Sequence, residues 1–356
     1  MSLTRRALWS IPRLQSRRGA GLGNEVIPWA KAYIASVELD ARLIDTPWSL
    51  NPRGYRKDFL SRRSDRLTYT AAGMLPRIEI NRELAMAHDD YVDVVRDLVD
   101  EVSTLAKPTV LWHSSGMSGG YYGIRRAKGF LQRKLFGPAH VLNDTYKLQG
   151  GLNTSKLQVA LHIRAGDFLV DSVGPRPGEF NKVVPIEWYR AVAQNLLTRF
   201  GDMIEFAVFT DDENNVDIVN LKNALPTVEL VGRQRPLLSD LHAMSTFDLL
   251  VCSVSSMSML AGFLSDRPYV WFEPHLGEIG DFRSIWGHES AQRTGLTVAN
   301  AASVDYSAKD SLLTRGLAAG LDGSLTEAGY NWLASQLDLK NSGTDLLMYG
   351  VVPKRW

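Results

Sequence analysis

One cysteine, Cys252, stands in a chain of 356 residues. An intramolecular disulfide is therefore excluded, as is any metal site built on several thiolates, and nothing points to an oxidising compartment. The expected location is cytoplasmic. Nowhere do about 18 apolar residues follow one another, so no integral membrane span is expected, and peripheral membrane association is the attachment left open. An excess of one charge is also missing. Lys and Arg number 40 against 39 Asp and Glu, a net charge of +1, which suits neither a nucleic-acid partner nor a polybasic membrane anchor. Repeats of solenoid period and low-complexity tracts are absent. The first twenty residues hold Arg5, Arg6, Arg13, Arg17 and Arg18 and no acid. Because Arg13, Gln15 and Arg17 interrupt any apolar stretch behind the paired arginines, this reads as a mature N-terminus, with a transit peptide as the alternative.

What the chain does have is ordinary core-forming material: 45% hydrophobic and 22% charged residues, over a length that suggests two domains. From 157 to about 300, β-rich runs alternate with helical periodicity, the pattern of a parallel α/β sheet. Strands are predicted at 157–163, 204–210, 227–231, 249–253 and 269–272, with helices at 185–200, 213–223, 237–246 and 256–264. In the first half the signals are sparser: a helix over 25–37, a longer one over 83–106, a strand at 109–113 and a Ser/Gly-rich loop over 114–123. The polar stretch 147–156 reads as a linker. The expected domains are 1–152 and 153–330, followed by a tail, 331–356; an amphipathic helix over 325–337 is expected to pack back across the junction.

Two elements of the second half bear chemistry. The first strand runs into His162-Ile163-Arg164-Ala165-Gly166-Asp167, which places Arg164 at the carboxyl end of a parallel strand, where open α/β sheets bind ligands. A guanidinium fork there matches phosphate oxygens, Gly166 permits close backbone approach, and Asp167 can brace the loop. A plain Arg–Asp salt bridge fits the same residues. The second element is Val251-Cys252-Ser253-Val254-Ser255-Ser256-Met257, a strand ending in hydroxyl residues as a helix begins. Helix N-termini attract anions, although serine also caps helices that bind nothing. Asp211-Asp212 lacks the intervening residue of a metal-chelating Asp-x-Asp, so no metal and no cofactor is expected.

Taken together, the His-x-Arg-x-x-Asp pattern of His162, Arg164 and Asp167, the block Asp240-Leu241-His242-Ala243-Met244-Ser245 and the strand-to-Ser255-Ser256 step resemble the α-1,6-fucosyltransferases of core and nodulation type. More distantly they resemble the α-1,2 and protein O-fucosyltransferases. The similarity covers about 157–270, with an echo at Gly21-Leu22-Gly23-Asn24; Ala165 and Met257 depart from the family pattern. The resemblance implies an α/β, GT-B-type glycosyltransferase, with two Rossmann-like domains facing a cleft. It also implies metal-independent, inverting transfer of fucose from GDP-fucose to a glycan acceptor. Arg164 would contact the β-phosphate, His162 would line the donor site, Asp240 would bind the nucleoside, and Ser255, Ser256 and Met257 would hold the diphosphate; Gly166 and His242 are the further substrate-binding candidates. Gly21, Gly23 and Asn24 would approach the donor from the other domain. For the general base that inversion requires, Glu179 is the first choice and Asp171 the second.

Other readings remain open. A Gly-rich turn at Gly19, Gly21 and Gly23 with Asp45 downstream suggests an NAD(P)-dependent oxidoreductase, but Asn24 and Val26 stand where a third glycine belongs. A non-catalytic sugar-nucleotide or glycan-binding protein is the third. His113 reads as a structural histidine, and Trp112, Tyr121 and Tyr122 as core aromatics that can otherwise stack on an acceptor sugar.

Overall fold

In a computed structural model, the residues described are 8–13, 21–53, 55, 58–59, 63–85, 87–88, 90–113, 120–153, 155–176, 179–231, 235–276 and 316–341. Arg5, Arg6, Arg17, Arg18, Gly19 and the loop 114–119 lie outside them. The chain divides into two units at Pro138/Ala139.

The first unit comprises β1 (Leu8–Pro12), α1 (Leu22–Glu38), β2 (Arg42–Leu43), α2 (Arg63–Ala72), β3 (Arg77–Ile80), α3 (Arg82–Ala85), α4 (Tyr91–Arg96), α5 (Val99–Ser103), β4 (Thr109–His113), α6 (Gly120–Gly123) and α7 (Lys128–Phe136). Its four strands are parallel in the order β2-β1-β4-β3. A strand at 8–12 was not expected among the arginines, yet Leu8 and Ile11 are buried, and Ile11 packs with Ile44, Ala72 and Val110. The long helix expected over 83–106 is three short ones. Asp90 explains one break: its carboxylate accepts from Val92 N at 3.0 Å and caps α4, a local bond that competes with helix continuation.

The second unit comprises α8 (Ala139–Gln149), β5 (Leu157–Ile163), α9 (Ile186–Phe200), β6 (Ile204–Thr210), α10 (Val216–Asn223), β7 (Thr227–Val231), α11 (Leu237–Thr246), β8 (Leu249–Val251), α12 (Ser256–Leu264), β9 (Tyr269–Phe272), β10 (Gly316–Ala319) and α13 (Glu327–Asn341). Six parallel strands run in the order β10-β9-β8-β5-β6-β7. All seven residues of β5 are buried, as a strand covered on both faces must be. Both units are thus Rossmann-like parallel α/β layers.

The division falls before α8 rather than at 152 because α8 is hydrogen-bonded along α11. Ser239 Oγ donates to Asp144 at 2.9 Å, His242 Nδ1 meets Thr145 Oγ1 at 2.8 Å, and Gln149 Nε2 donates to Thr246 Oγ1 at 3.0 Å. At the other end, α13 is bound into the second unit. Lys340 Nζ donates to the buried Asp248 at 2.5 Å, which also accepts from Gln158 N at 2.8 Å, while Arg199 of α9 reaches Glu327 and Asn331. The rest of the tail, 342–356, lies outside the described residues.

Candidate functional site

From β5 the chain builds outward through β6 and β7, then returns to β8 on the other side and continues through β9 and β10. The order reverses between β5 and β8, and the connections leaving those two strands diverge at their carboxyl ends, opening the place where doubly wound sheets bind ligands. Arg164 follows β5 there, and Ser253 to Met257 follow β8. Tyr189 of α9, fully buried, ties the two strand ends: its hydroxyl reaches the carbonyls of His162 at 3.1 Å and Cys252 at 3.4 Å.

The guanidinium of Arg164 lies between two carboxylates. It donates to Asp167 Oδ1 at 2.7 Å and pairs with Asp211 Oδ2 at 3.1 Å, its carbon 5.4 Å from the Phe168 ring centre. Asp211 Oδ1 also accepts from Ala165 N at 2.8 Å and Gly166 N at 3.0 Å. The brace expected from Asp167 is therefore shared: Asp167 takes the arginine, and Asp211, at the end of β6, takes the backbone of the turn as well. The Asp167 side chain is 54% exposed against 10% for Asp211, so Asp167 is the partner that an incoming anion can displace.

His162 is buried rather than open to solvent. Its Nδ1 meets Ser258 Oγ at 2.6 Å and Ser253 Oγ at 3.2 Å. Burial, with the nearby Arg164 charge adding to it, lowers its pKa to about 4, so the ring is neutral at neutral pH. Ser258 Oγ also accepts from Ser253 N at 3.0 Å, and Ser253 Oγ meets Ser255 Oγ at 2.8 Å. Ser255 is the N-cap of α12, its hydroxyl accepting from Ser258 N at 3.3 Å. The half-buried Ser256 and Met257 then form the first turn, where main-chain amides have no intrahelical acceptor.

On α11, Asp240 pairs with Arg235 Nε at 3.4 Å. His242 faces α8 through Thr145, and burial lowers its pKa to about 4. Thr145 gives its hydroxyl hydrogen to the Val141 carbonyl, so His242 carries its proton on Nδ1 and keeps Nε2 as an acceptor.

The two candidate bases share one ammonium. Lys182 Nζ donates to Asp171 Oδ2 at 3.0 Å and Glu179 Oε2 at 2.9 Å. Glu179 is held below the ordinary carboxylate range first by Lys182 and then by the Arg176 amide; Asp171 first by the Val173 amide and then by Lys182. Their loop folds back at Gly174, whose φ of +77° and close approach to Pro185 leave no room for a side chain. Behind it, His275 is buried, accepts from Trp271 Nε1 at 3.1 Å and meets Phe180 edge to face at 5.2 Å.

In the first unit, Gly21 is the N-cap of α1 and its carbonyl accepts from Asn24 N at 2.9 Å. The Gly23 carbonyl accepts from the buried Tyr121 hydroxyl at 2.6 Å, which makes Tyr121 a core residue. Asn24 Oδ1 is buried without a hydrogen-bond partner, and Pro28, four residues on, has no N–H to offer the Asn24 carbonyl. Asp45, the carboxylate of the oxidoreductase reading, accepts from Trp29 Nε1 at 3.1 Å and Lys134 Nζ at 2.7 Å. His113 is fully buried with both ring nitrogens bonded, to Ser10 and Tyr91. Tyr122 lies under the Arg125 guanidinium at 4.4 Å.

Sequence reasoning gave no role to Lys182, Ser258 or Tyr189, and read Asp211 only for the missing Asp-x-Asp spacing. The clue to Asp211 was its place at the end of the neighbouring strand; nothing in the spacing announced the others. Among the described residues, no group of three or more His, Cys, Asp or Glu side chains is placed to hold a metal ion, and no helix is long and apolar enough to cross a membrane. No family model matches the chain, and no curated protein matches it. Its backbone is similar to that of a glycosyl transferase family 9 protein from Veillonella parvula DSM 2008, at 12% identity over 96% of this chain and 99% of that one, with a TM-score of 0.45. It is also similar to POFUT1 in complex with GDP, at 12% identity over 75% of this chain and 96% of that one, TM-score 0.41. POFUT1 in complex with GDP-fucose gives the same identity and coverage with a TM-score of 0.38.

Proposed function

We propose that the chain is an inverting, metal-independent glycosyltransferase of GT-B type that transfers fucose from GDP-fucose to a hydroxyl of a glycan or glycoconjugate. One observation carries the reading: Arg164 and the first turn of α12 flank the point where the strand order reverses, and the His162–Ser258 contact of 2.6 Å joins the two elements. A guanidinium fork and a helix N-terminus at one sheet edge make a site for a diphosphate.

In this reading Arg164 takes the β-phosphate as negative charge develops on it, and Ser255, Ser256 and the Met257 amide take the remaining oxygens. Fixed positive groups of this kind do what a metal ion does elsewhere. Asp240 accepts from the nucleoside, with His242 Nε2 on the same helix. Glu179 removes the acceptor proton, with Asp171 as the alternative. Both carboxylates begin ion-paired to Lys182, so the acceptor must loosen that pair before either can work as a base.

Thermal unfolding in the presence of GDP, UDP, ADP, NADH and the common sugar nucleotides tests the reading. GDP and GDP-fucose are expected to stabilise the chain, by about 2.7 kcal/mol at a hundredfold excess over Kd, and a chelator is expected to leave turnover unchanged. A response to UDP alone discards fucose, and a response to NADH returns the oxidoreductase.

A further inference from the structure

Lys31 lies midway along α1 with 1% of its surface exposed, and its ammonium nitrogen makes no hydrogen bond. The nearest aromatic face is that of Tyr91 on α4, 5.2 Å from Nζ to the ring centre. Beside it runs a hydrogen-bond chain whose protons can be assigned. Ser10 on β1 gives its single hydroxyl hydrogen to the Ala32 carbonyl at 2.8 Å. In the 2.7 Å contact between Ser10 and His113 Nε2, His113 is therefore the donor, and its Nδ1 accepts from the Tyr91 hydroxyl at 2.6 Å. The chain Tyr91 to His113 to Ser10 to Ala32 is closed without Lys31.

Among the described residues, no charge on the surrounding elements compensates an ammonium there. From β4 the facing group is the neutral His113, and from α4 it is Tyr91. Asp90 at the head of α4 pairs with Arg125 at 2.8 Å and Arg126 at 3.5 Å, and Asp93 with Arg96 at 3.1 Å. On β2, Arg42 stacks on Trp9 of β1 at 5.7 Å. On α7, Lys134 pairs with Asp45, Lys128 is half-buried and Arg133 is exposed. Within α1, Glu25 lies nearly two turns ahead, bonded to Asn51.

We infer that Lys31 is a proton-operated latch on the first unit, neutral while α1 is packed and forcing α1 off β1 and α4 when it takes up a proton. An isolated ammonium in such surroundings either loses its proton or is expelled. Burial lowers the amine from 10.5 to about 7, below its unfolded value. Between about 7 and 10.5 the unfolded chain carries a proton that the packed one lacks, so packing strengthens as pH rises through that window and is weakest below about 7. The slope cannot exceed tenfold per pH unit in the opening equilibrium for one proton. Because α1 starts with the Gly21-to-Asn24 turn, opening takes that turn apart too.

Hydrogen exchange of the full chain, followed by mass spectrometry between about pH 6.5 and 9.5 and corrected for intrinsic rates, reads the latch directly. Protection of α1 and β4 is expected to rise with pH by up to tenfold per unit from about pH 7. Lys31→Met should be better protected at neutral pH and lose that rise, with α9 and β6 of the second unit unchanged. Lys31→Leu serves as the second variant. A flat wild-type profile overturns the inference without any variant, and so does a slope that survives either substitution.

Discussion

Replacing Ser258 by alanine probes the tie between the ends of β5 and β8. In the native chain Ser258 is fully buried, and its Oγ accepts from Ser253 N at 3.0 Å while meeting His162 Nδ1 at 2.6 Å and Ser253 Oγ at 3.1 Å. Alanine removes all three contacts, and a lost hydroxyl leaves too little space for a water to replace it. Two buried groups, the Ser253 amide and His162 Nδ1, lose their best partner, each at about 1–3 kcal/mol. His162 retains its 3.2 Å contact with Ser253 Oγ, which puts the expected loss in the lower half of that range, about 2–4 kcal/mol in all. In a unit of about 150–250 residues, where 1 kcal/mol corresponds to about 2–4 °C, Tm should fall by about 4–16 °C. Calorimetry or dye-based melting measures the fall, and a GDP titration should show weaker binding because the first turn of α12 is no longer held to β5. A Tm within about 1 °C of wild type together with an unchanged GDP Kd would refute the reasoning.

Other outcomes can be stated briefly. Arg164→Ala should lower donor turnover at least about a hundredfold in a folded protein, and Arg164→Lys, which keeps the charge and loses the fork, should not restore it; wild-type turnover in either sinks the phosphate clamp. Lys182→Met removes the largest influence holding Glu179 down, so the acid limb of kcat/KM should move to higher pH, and an unmoved limb takes the base role from Glu179. Glu179→Gln should bind GDP-fucose normally yet transfer poorly; retained transfer passes the role to Asp171.

The second sheet was legible because its strands are seven-residue or shorter apolar runs bounded by polar turns, and β5, β6, β7 and β9 lie where the pattern puts them. At the sheet edge, local order was enough to find Arg164 and the Ser255 cap. What spacing could not express is pairing across strands. His162 and Ser258 are 96 residues apart and in contact, and Asp211 reaches the Arg164 turn only because β6 lies beside β5 in register. The first sheet was harder to read for a different reason. Its β1 is five residues long amid arginines, and the periodicity over 83–106 is real on paper yet interrupted by an Asp90 cap that hydrophobic counting does not see.

The solitary thiol noted at the outset sits at the head of this edge. Cys252 follows β8, is 1% exposed, and burial raises its pKa further above the ordinary thiol range. Thiol reagents should therefore leave the native chain untouched and label it only when the ends of β5 and β8 part. With no second cysteine to contribute background, the labelling rate is a native clock for the opening of that edge, and under the proposed function a bound diphosphate should slow it.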